Sequence, residues 1–211
     1  MTTEIKLPFD TGYITSFSKK MGEPEWLTNL RTEALKKAEQ LPLPKADKTD
    51  ISNWNFSNFS KHLVESEDIS SLDELAEEIK SLVNLQEEEQ SLYIQRNNRP
   101  SILKVSKEMQ EQGVIFMDIF TAAREHGDLL RKYFMKDGVK VDEHKLTALH
   151  AALMNGGVFL YVPKNVQLTV PVQAIFIHDD VEANLFNHVL IVAEENSSVT
   201  YVENYISTVE E

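Results

Sequence analysis

The sequence predicts an α+β protein in which a helical domain precedes a strand-rich one. Apolar residues recur at helical spacing in the first part of the chain. Short β-branched and aromatic runs take over from Leu92, and they are densest in Gly156–Phe176, "GGVFLYVPKNVQLTVPVQAIF". With 211 residues, of which 42% are apolar, the chain can bury one large core or two small ones.

The first clear helix lies in "GEPEWLTNLRTEALKKAEQLPLP". Pro24 suits the first helical position, Leu27, Leu30, Ala34, Ala38 and Leu41 share a face, and Pro42 and Pro44 stop the helix. A loop rich in Ser, Asn and Asp follows, where Trp54, Phe56 and Phe59 resemble a stacking platform for bases or sugars. Without flanking positive charge, these rings are expected to anchor the loop to a core. A second helix is expected from Ser71, with Ser71 and Glu74 at capping-box spacing and Leu72, Leu75, Ile79, Leu82 and Val83 on its apolar face. The acidic run Asp73–Gln90 reads as a solvated helix face.

The period changes at Leu92, which places a domain boundary near Glu89 and gives domains 1–89 and 90–211. "LYIQ", the turn "RNNRP", "SILKVS" and "GVIFMDI" read as strands. Helices return at about 119–135 and 142–155. In the latter Asp142 is the expected N-cap, Leu146, Leu149 and Leu153 form the buried stripe, and Asn155 or Gly156 takes the left-handed conformation that ends it. After Gly157 the chain reads almost wholly as strand, with corners at Asn165 and Pro171. Periodicity leaves a sandwich, a barrel and a parallel β-helix open, and no sequence repeat separates them.

Charge and composition exclude several functions. Lys and Arg number 21 against 34 Asp and Glu, and the net charge of -13 opposes a phosphate backbone and an anionic membrane surface alike, so neither nucleic acid nor membrane is an expected partner. There is no cysteine, which removes disulfides, thiolate nucleophiles and thiolate metal ligands from this chain and fits a reducing compartment. The start "MTTEIKLPFD" lacks a signal-peptide pattern, and no apolar run approaches the ~18 residues of a membrane helix, so a cytoplasmic location is expected.

Among the histidines, His144 and His150 are six apart on one expected helix, the wrong spacing for a metal pair. His178, Asp179, Asp180 and His188 could approach across a corner as an imidazole and carboxylate cluster, but a solvated corner accounts for them better. Lys164 in the Pro-Lys-Asn corner could present an amine to an anion, and an exposed turn lysine accounts for it better.

Several separated segments, agreeing in order, resemble a known family. "GEPEWLTNLRTEALKKAEQLPLPKADKTDISNWNF" is similar to the N-terminal helix of the SufB/SufD family of iron-sulfur cluster assembly proteins, with its Glu-Pro-x-Trp opening and Leu-Pro-x-Pro end. "DEHKLTALHAALMNGGVFLYVPKNVQLTVPVQ" resembles the family segment in which a helix ends at glycines and enters strands around a Val-Pro-Lys turn. "RNNRP" and "GVIFMDIFTAAREHGDLLRKYFM" lie between them. The Leu-Pro-Leu-Pro end running into "KTDISNWNF", and the absence of a cysteine-bearing N-terminal extension, bring the resemblance nearer the SufD branch.

The resemblance implies a helical domain followed by the first rungs of a right-handed parallel β-helix. It also implies a non-catalytic scaffold subunit of the cytoplasmic SufBCD complex, partnered by a SufB-like subunit and the SufC-like ATPase. No cofactor is expected in this chain, an iron-sulfur cluster or flavin being a matter for the full complex. The family's cluster-chemistry and SufC-gripping residues lie in its C-terminal half, so no catalytic, cofactor-binding or metal residue is carried over. Family members continue past the point matching Glu211, so the chain is expected to be an N-terminal portion, with self-association through strands within Asn187–Ile206.

Two other functions fit the residues. A β-helix carbohydrate-active enzyme needs acidic groups, often with a basic partner, along one face, but Gly156–Glu211 holds no arginine and only Lys164, which weighs against it. A soluble β-solenoid interaction module unrelated to cluster assembly needs only a core and an adhesive surface.

Overall fold

The computed structural model describes residues 8–45, 47–51, 53–56, 58–65, 69–83 and 90–208. Its chain passes three times between two units. One takes the residues up to His62 together with Phe120–Met154, and the other takes Leu63–Ile119 together with the residues from Asn155 onward. The boundary expected near Glu89 lies outside the described residues.

The first unit is helical. Helix α1 (Thr11–Lys20) is capped by Asp10, whose carboxylate accepts the Tyr13 N–H at 2.7 Å, and Lys19 and Lys20 sit in its last turn, where positive charge complements the helix dipole. Helix α2 (Glu25–Gln40) begins after Pro24, which stands outside the helix in extended conformation as its N-cap. Its buried stripe is Leu27, Arg31, Ala34, Leu35 and Ala38, turned from the expected one because Arg31 occupies the core, so Leu30 and Leu41 are only half-buried.

The single helix expected over 119–135 is two, α5 (Ile119–Glu125) and α6 (Gly127–Tyr133). His126 breaks the run at φ -126° and ψ 34°. Helix α7 (Lys145–Leu153) is capped by His144 instead of Asp142. The His144 ring accepts the Thr147 N–H and the Thr147 hydroxyl oxygen accepts the His144 N–H, both at 3.2 Å, a capping box built from other residue types than the usual Ser and Glu. Asp142 instead pairs with Lys37 of α2 at 2.7 Å. Lys145 is buried and donates to the Ala38 carbonyl.

In the second unit the helix expected from Ser71 is a 3₁₀ turn (Leu72–Glu74) and one short helix, α3 (Glu77–Lys80). The Ser71 hydroxyl accepts the Asp73 N–H at 3.2 Å, but the Glu74 carboxylate accepts the Ser70 hydroxyl at 2.8 Å, one residue away from closing the expected box. Strands β1 (Ser91–Arg96) and β2 (Arg99–Lys104) form a hairpin across Asn97–Asn98, with Asn97 at φ 50°. A short helix α4 (Lys107–Glu111), capped by Ser106, separates them from β3 (Ile115–Asp118). Four seven-residue strands follow: β4 (Gly156–Val162), β5 (Val172–His178), β6 (Asn187–Ala193) and β7 (Tyr201–Ser207).

These strands correct the expected right-handed parallel β-helix. They form two mixed sheets, one ordered β2-β1-β5-β7 and one ordered β3-β4-β6, and among the described residues they close no solenoid. β1–β5, β5–β7 and β4–β6 are parallel, but β1–β2 and β3–β4 are antiparallel. The physical reason for the first antiparallel pair is local, since a two-residue turn returns the chain at once alongside itself and leaves no room for a crossover. The class is α+β with mixed sheets.

Burial grades across the four-stranded sheet. β1 and β5 are covered on both faces, with Tyr93, Val172 and Phe176 in one core and Leu92, Ile94, Ile175 and Ile177 in another. That suits their unbroken apolar runs Leu92–Ile94 and Ala174–Ile177. β7 has three half-buried positions, Tyr201, Asn204 and Ile206, and its other residues are exposed.

Candidate functional site

Within the helical unit the polar groups are turned inward and used. The Glu23–Arg31 pair has no exposed side-chain surface, and the carboxylate takes Arg31 Nε at 2.8 and 3.0 Å and Nη2 at 2.6 Å. Arg31 also donates to the Ala152 carbonyl at 3.0 Å and lies 5.0 Å from the Phe17 ring centre. Ser18 donates to Glu23 and shares a 2.6 Å hydrogen bond with Thr28. The Glu of the Glu-Pro-x-Trp stretch is thus the counter-ion that lets an arginine enter the core.

His62 sits beside this network. Its Nε2 donates to the Leu153 carbonyl at 2.6 Å, which leaves Nδ1 to accept the Tyr13 hydroxyl at 2.8 Å and fixes the neutral tautomer. Burial, reinforced by the Arg31 charge and partly offset by the Leu153 hydrogen bond, pushes its pKa down to about 4. Burial first and Arg31 second do the same to His150, also to about 4. His144 and His150 therefore serve as a helix cap and as a group inside the helical unit.

The aromatic loop behaves differently from expectation. Phe59 packs at 5.4 Å on Phe9, whereas Trp54 is 59% exposed and meets Phe56 at 6.1 Å.

In the sheet unit, Gln95 is the hub. It is fully buried, its Oε1 accepts the Gly157 N–H at 2.9 Å and the Tyr93 hydroxyl at 3.0 Å, and its Nε2 donates to Asn97 O and Asn187 Oδ1 at 2.7 Å each. All four hydrogen-bonding positions of the amide are used. Beside it, Gly157 lies at φ 129° with the His188 carbonyl oxygen 2.0 Å from where a Cβ would stand. Gly157 admits the backbone of β6, and Gly156 admits the side chains of Gln95 and Asn187. The helix-ending left-handed residue expected at Asn155 or Gly156 is absent from both, and Met154 ends α7 at φ -45°.

The four residues of the conceivable metal corner are not brought together. His178 closes β5 in one sheet while His188 lies on β6 in the other. Asp179 accepts from Arg96 at 2.5 Å and from Asn97 at 2.7 Å, and Asp180 accepts the Glu182 N–H at 2.9 Å. No group of three or more metal-binding side chains occurs among the described residues. Lys164 pairs with Glu195 on the surface. A cleft of about 300 Å³ is lined by Ile69, Leu75, Ile79 and Ile177 together with Glu74, Thr208 and the Arg96–Asp179 pair, so polar and apolar groups share its wall and its arginine is already paired.

Among the described residues, β7 carries several exposed side chains. Phe176 of β5 stacks on Tyr205 of β7 at 4.9 Å and 15°, and Tyr205, 60% exposed, ends that row of rings. Partial burial first, then the Glu203 charge, raises its hydroxyl pKa to about 12. Val202 and Ile191 are also exposed. Arg31, His62 and Gln95, which organise the two units, were missed in the sequence. Arg31 could have been found, because it falls on the same helical stripe as Leu27, Ala34 and Ala38.

Fold and side chains together define an α+β protein whose buried polar groups, Glu23, Arg31, His62 and Gln95 among them, hold its own chain. Residues 15–174 match the family described as SufBD protein N-terminal region, and the chain belongs to that family. It is 63% identical over 209 residues to the iron-sulfur cluster assembly protein SufD of Bacillus subtilis, covering 99% of this chain and 48% of that protein. It is 36% identical over 198 residues to an iron-sulfur cluster assembly SufBD family protein of Staphylococcus epidermidis, and 34% identical to one of Staphylococcus aureus, covering in each case 90% of this chain and 42% of the relative. The chain thus spans about half the length of the curated relatives it matches. No helix among the described residues is long and apolar enough to cross a membrane.

Proposed function

We propose that this chain serves as a SufD-like, non-catalytic scaffold subunit in iron-sulfur cluster assembly, working in the cytoplasm with a SufB-like subunit and a SufC-like ATPase. The observation that carries this reading is the 63% identity to SufD of Bacillus subtilis over 209 residues. The side chains favour it too, since Glu23, Arg31, His62 and Gln95 are each spent on internal hydrogen bonds. In this reading ATP turnover belongs to a partner, and an iron-sulfur cluster or flavin binds at the level of the whole complex.

Affinity purification of the tagged protein from its native host, followed by identification of what co-elutes, tests the proposal. The expected result is stoichiometric recovery of a SufB-like and an ATPase subunit, with reduced activity of iron-sulfur enzymes when the gene is deleted. Recovery of neither partner together with unaffected iron-sulfur enzymes would refute it.

A further inference from the structure

We propose that Asn155–Gly156 is a deamidation site which the fold keeps silent, so that the Asn155 side-chain amide is lost only while the chain is unfolded and its loss then blocks the return to the native state. This stands independently of the Suf reading, because it follows from the chemistry and burial of one dipeptide.

The chain has 7 glycines, and Gly156 alone follows an asparagine. With no Cβ to hinder its approach, a glycine nitrogen is the main-chain nucleophile best able to reach the side-chain amide before it. The Gly156 nitrogen attacks Cγ of Asn155, the N–Cγ bond forms and the Cγ–Nδ2 bond breaks. Nδ2 leaves as ammonia, taking the proton released from the Gly156 nitrogen. Water then opens the cyclic imide at either carbonyl, giving aspartate or, when the main-chain carbonyl is cleaved, isoaspartate. One water is consumed and one ammonia released, with no change of oxidation state.

The folded chain opposes each part of that reaction. Asn155 has no exposed surface. Its Nδ2 donates to the Asn184 carbonyl at 2.7 Å, its Oδ1 accepts the Phe186 N–H at 2.8 Å, and its own N–H donates to the Phe186 carbonyl at 3.1 Å. Turning Cγ towards the Gly156 nitrogen gives up both side-chain bonds with no water to replace them. The space beside Gly156 is also filled, since a Cβ there would collide with the side chains of Gln95 and Asn187. The lock lies inside the chain, so nothing packed on the outside removes it.

Neither product fits the site. Aspartate puts a carboxylate oxygen where Nδ2 stood, so the Asn184 carbonyl loses its donor and a charge is buried beside it. Isoaspartate adds a methylene to the main chain immediately before β4, whose pairing with β6 runs without a break from Gly156↔Asn187 to Val162↔Ala193. Deamidation thus turns reversible unfolding into an irreversible loss.

The test holds the full 211-residue chain in mildly alkaline buffer with and without guanidinium chloride, and peptide mapping by mass spectrometry follows the product at 155. In denaturant it should accumulate as a first-order process. In the folded chain it should form at least about a thousandfold more slowly, a factor set by the small fraction of chains unfolded at any moment. Chains diluted out of denaturant after increasing times are then separated by size exclusion into refolded and misfolded fractions, and the product should be confined to the misfolded one. Asn155→Asp installs one product directly, and should have a lower urea midpoint than the parent or fail to accumulate as folded protein. Similar rates with and without denaturant, absence of the product in denaturant, its equal presence in the refolded fraction, or an unchanged midpoint for Asn155→Asp would each overturn the proposal.

Discussion

At the scale of single residues, the buried Glu23–Arg31 pair makes the sharpest prediction. Each partner alone would be an uncompensated charge in the core, so Glu23→Ala or Arg31→Ala should lower unfolding free energy by about 3–5 kcal/mol. A double variant with Gln at 23 and Met at 31 should be less damaged than the sum of the two alanine changes, since it removes both charges together. Urea denaturation followed by tryptophan fluorescence measures all three. Gly157 gives a second residue-scale expectation. A Cβ there would stand 2.0 Å from the His188 carbonyl oxygen on a backbone at φ 129°, so Gly157→Ala meets both a collision and a disfavoured conformation. The variant should lose more than about 4 kcal/mol or fail to accumulate as folded protein. The sequence shows the glycine pair but not its reason, because the approaching strand lies 31 residues further on.

At the scale of elements, the corners between strands carry the argument. Asn165 at φ 65° and Asn196 at φ 58° occupy equivalent corners, and the Asn196 side-chain amide donates to Asn165 Oδ1 at 2.9 Å. The left-handed conformation costs an ordinary residue about 1–2 kcal/mol, so Asn165→Ala should lower the melting temperature while Asn165→Gly should come close to the parent in a thermal scan. The corner at Asn165 was legible in the sequence because asparagine tolerates that backbone. The repeat behind it was not. β4 pairs with β6 at an offset of 31 residues, Gly156↔Asn187, but β5 pairs with β7 at 29, Val172↔Tyr201, and two unequal offsets leave no single period to detect. The same limit explains the β-helix expectation. Apolar runs announce strands, but whether neighbours run parallel or antiparallel depends on turns such as Asn97–Asn98 that composition does not rank. Helix α7 shows the converse, with its position anticipated and its cap misplaced, because His144 rarely signals a helix start and Asp142 was drawn into an ion pair with Lys37 on a distant helix.

At the scale of the whole molecule, acid should act first on the helical unit. His62 and His150 both belong there, and in the folded chain both stay neutral down to about pH 4, whereas an unfolded chain takes up their protons near the ordinary value of 6.5. Between those limits the unfolded state binds more protons, so stability is complete above pH 6.5 and falls as pH drops towards 4, with no further loss from these groups below. A shift of this size corresponds to about 3 kcal/mol for each histidine. The surface ion pair of Asp142 with Lys37, which holds the carboxyl below its usual range, acts only lower on the pH scale. Both tryptophans, Trp26 and Trp54, are also in the helical unit, so their fluorescence reports on it separately from the sheets. The expected outcome is a urea midpoint, read by tryptophan emission, that is flat from pH 8 to 6.5 and declines to pH 4. His62→Gln should be weaker at neutral pH, because it loses the bridge between Tyr13 and the Leu153 carbonyl, yet show roughly half the decline. A midpoint independent of pH over that interval would mean that the two rings are reached by water and protons in the folded protein. That would contradict the burial from which the prediction is drawn.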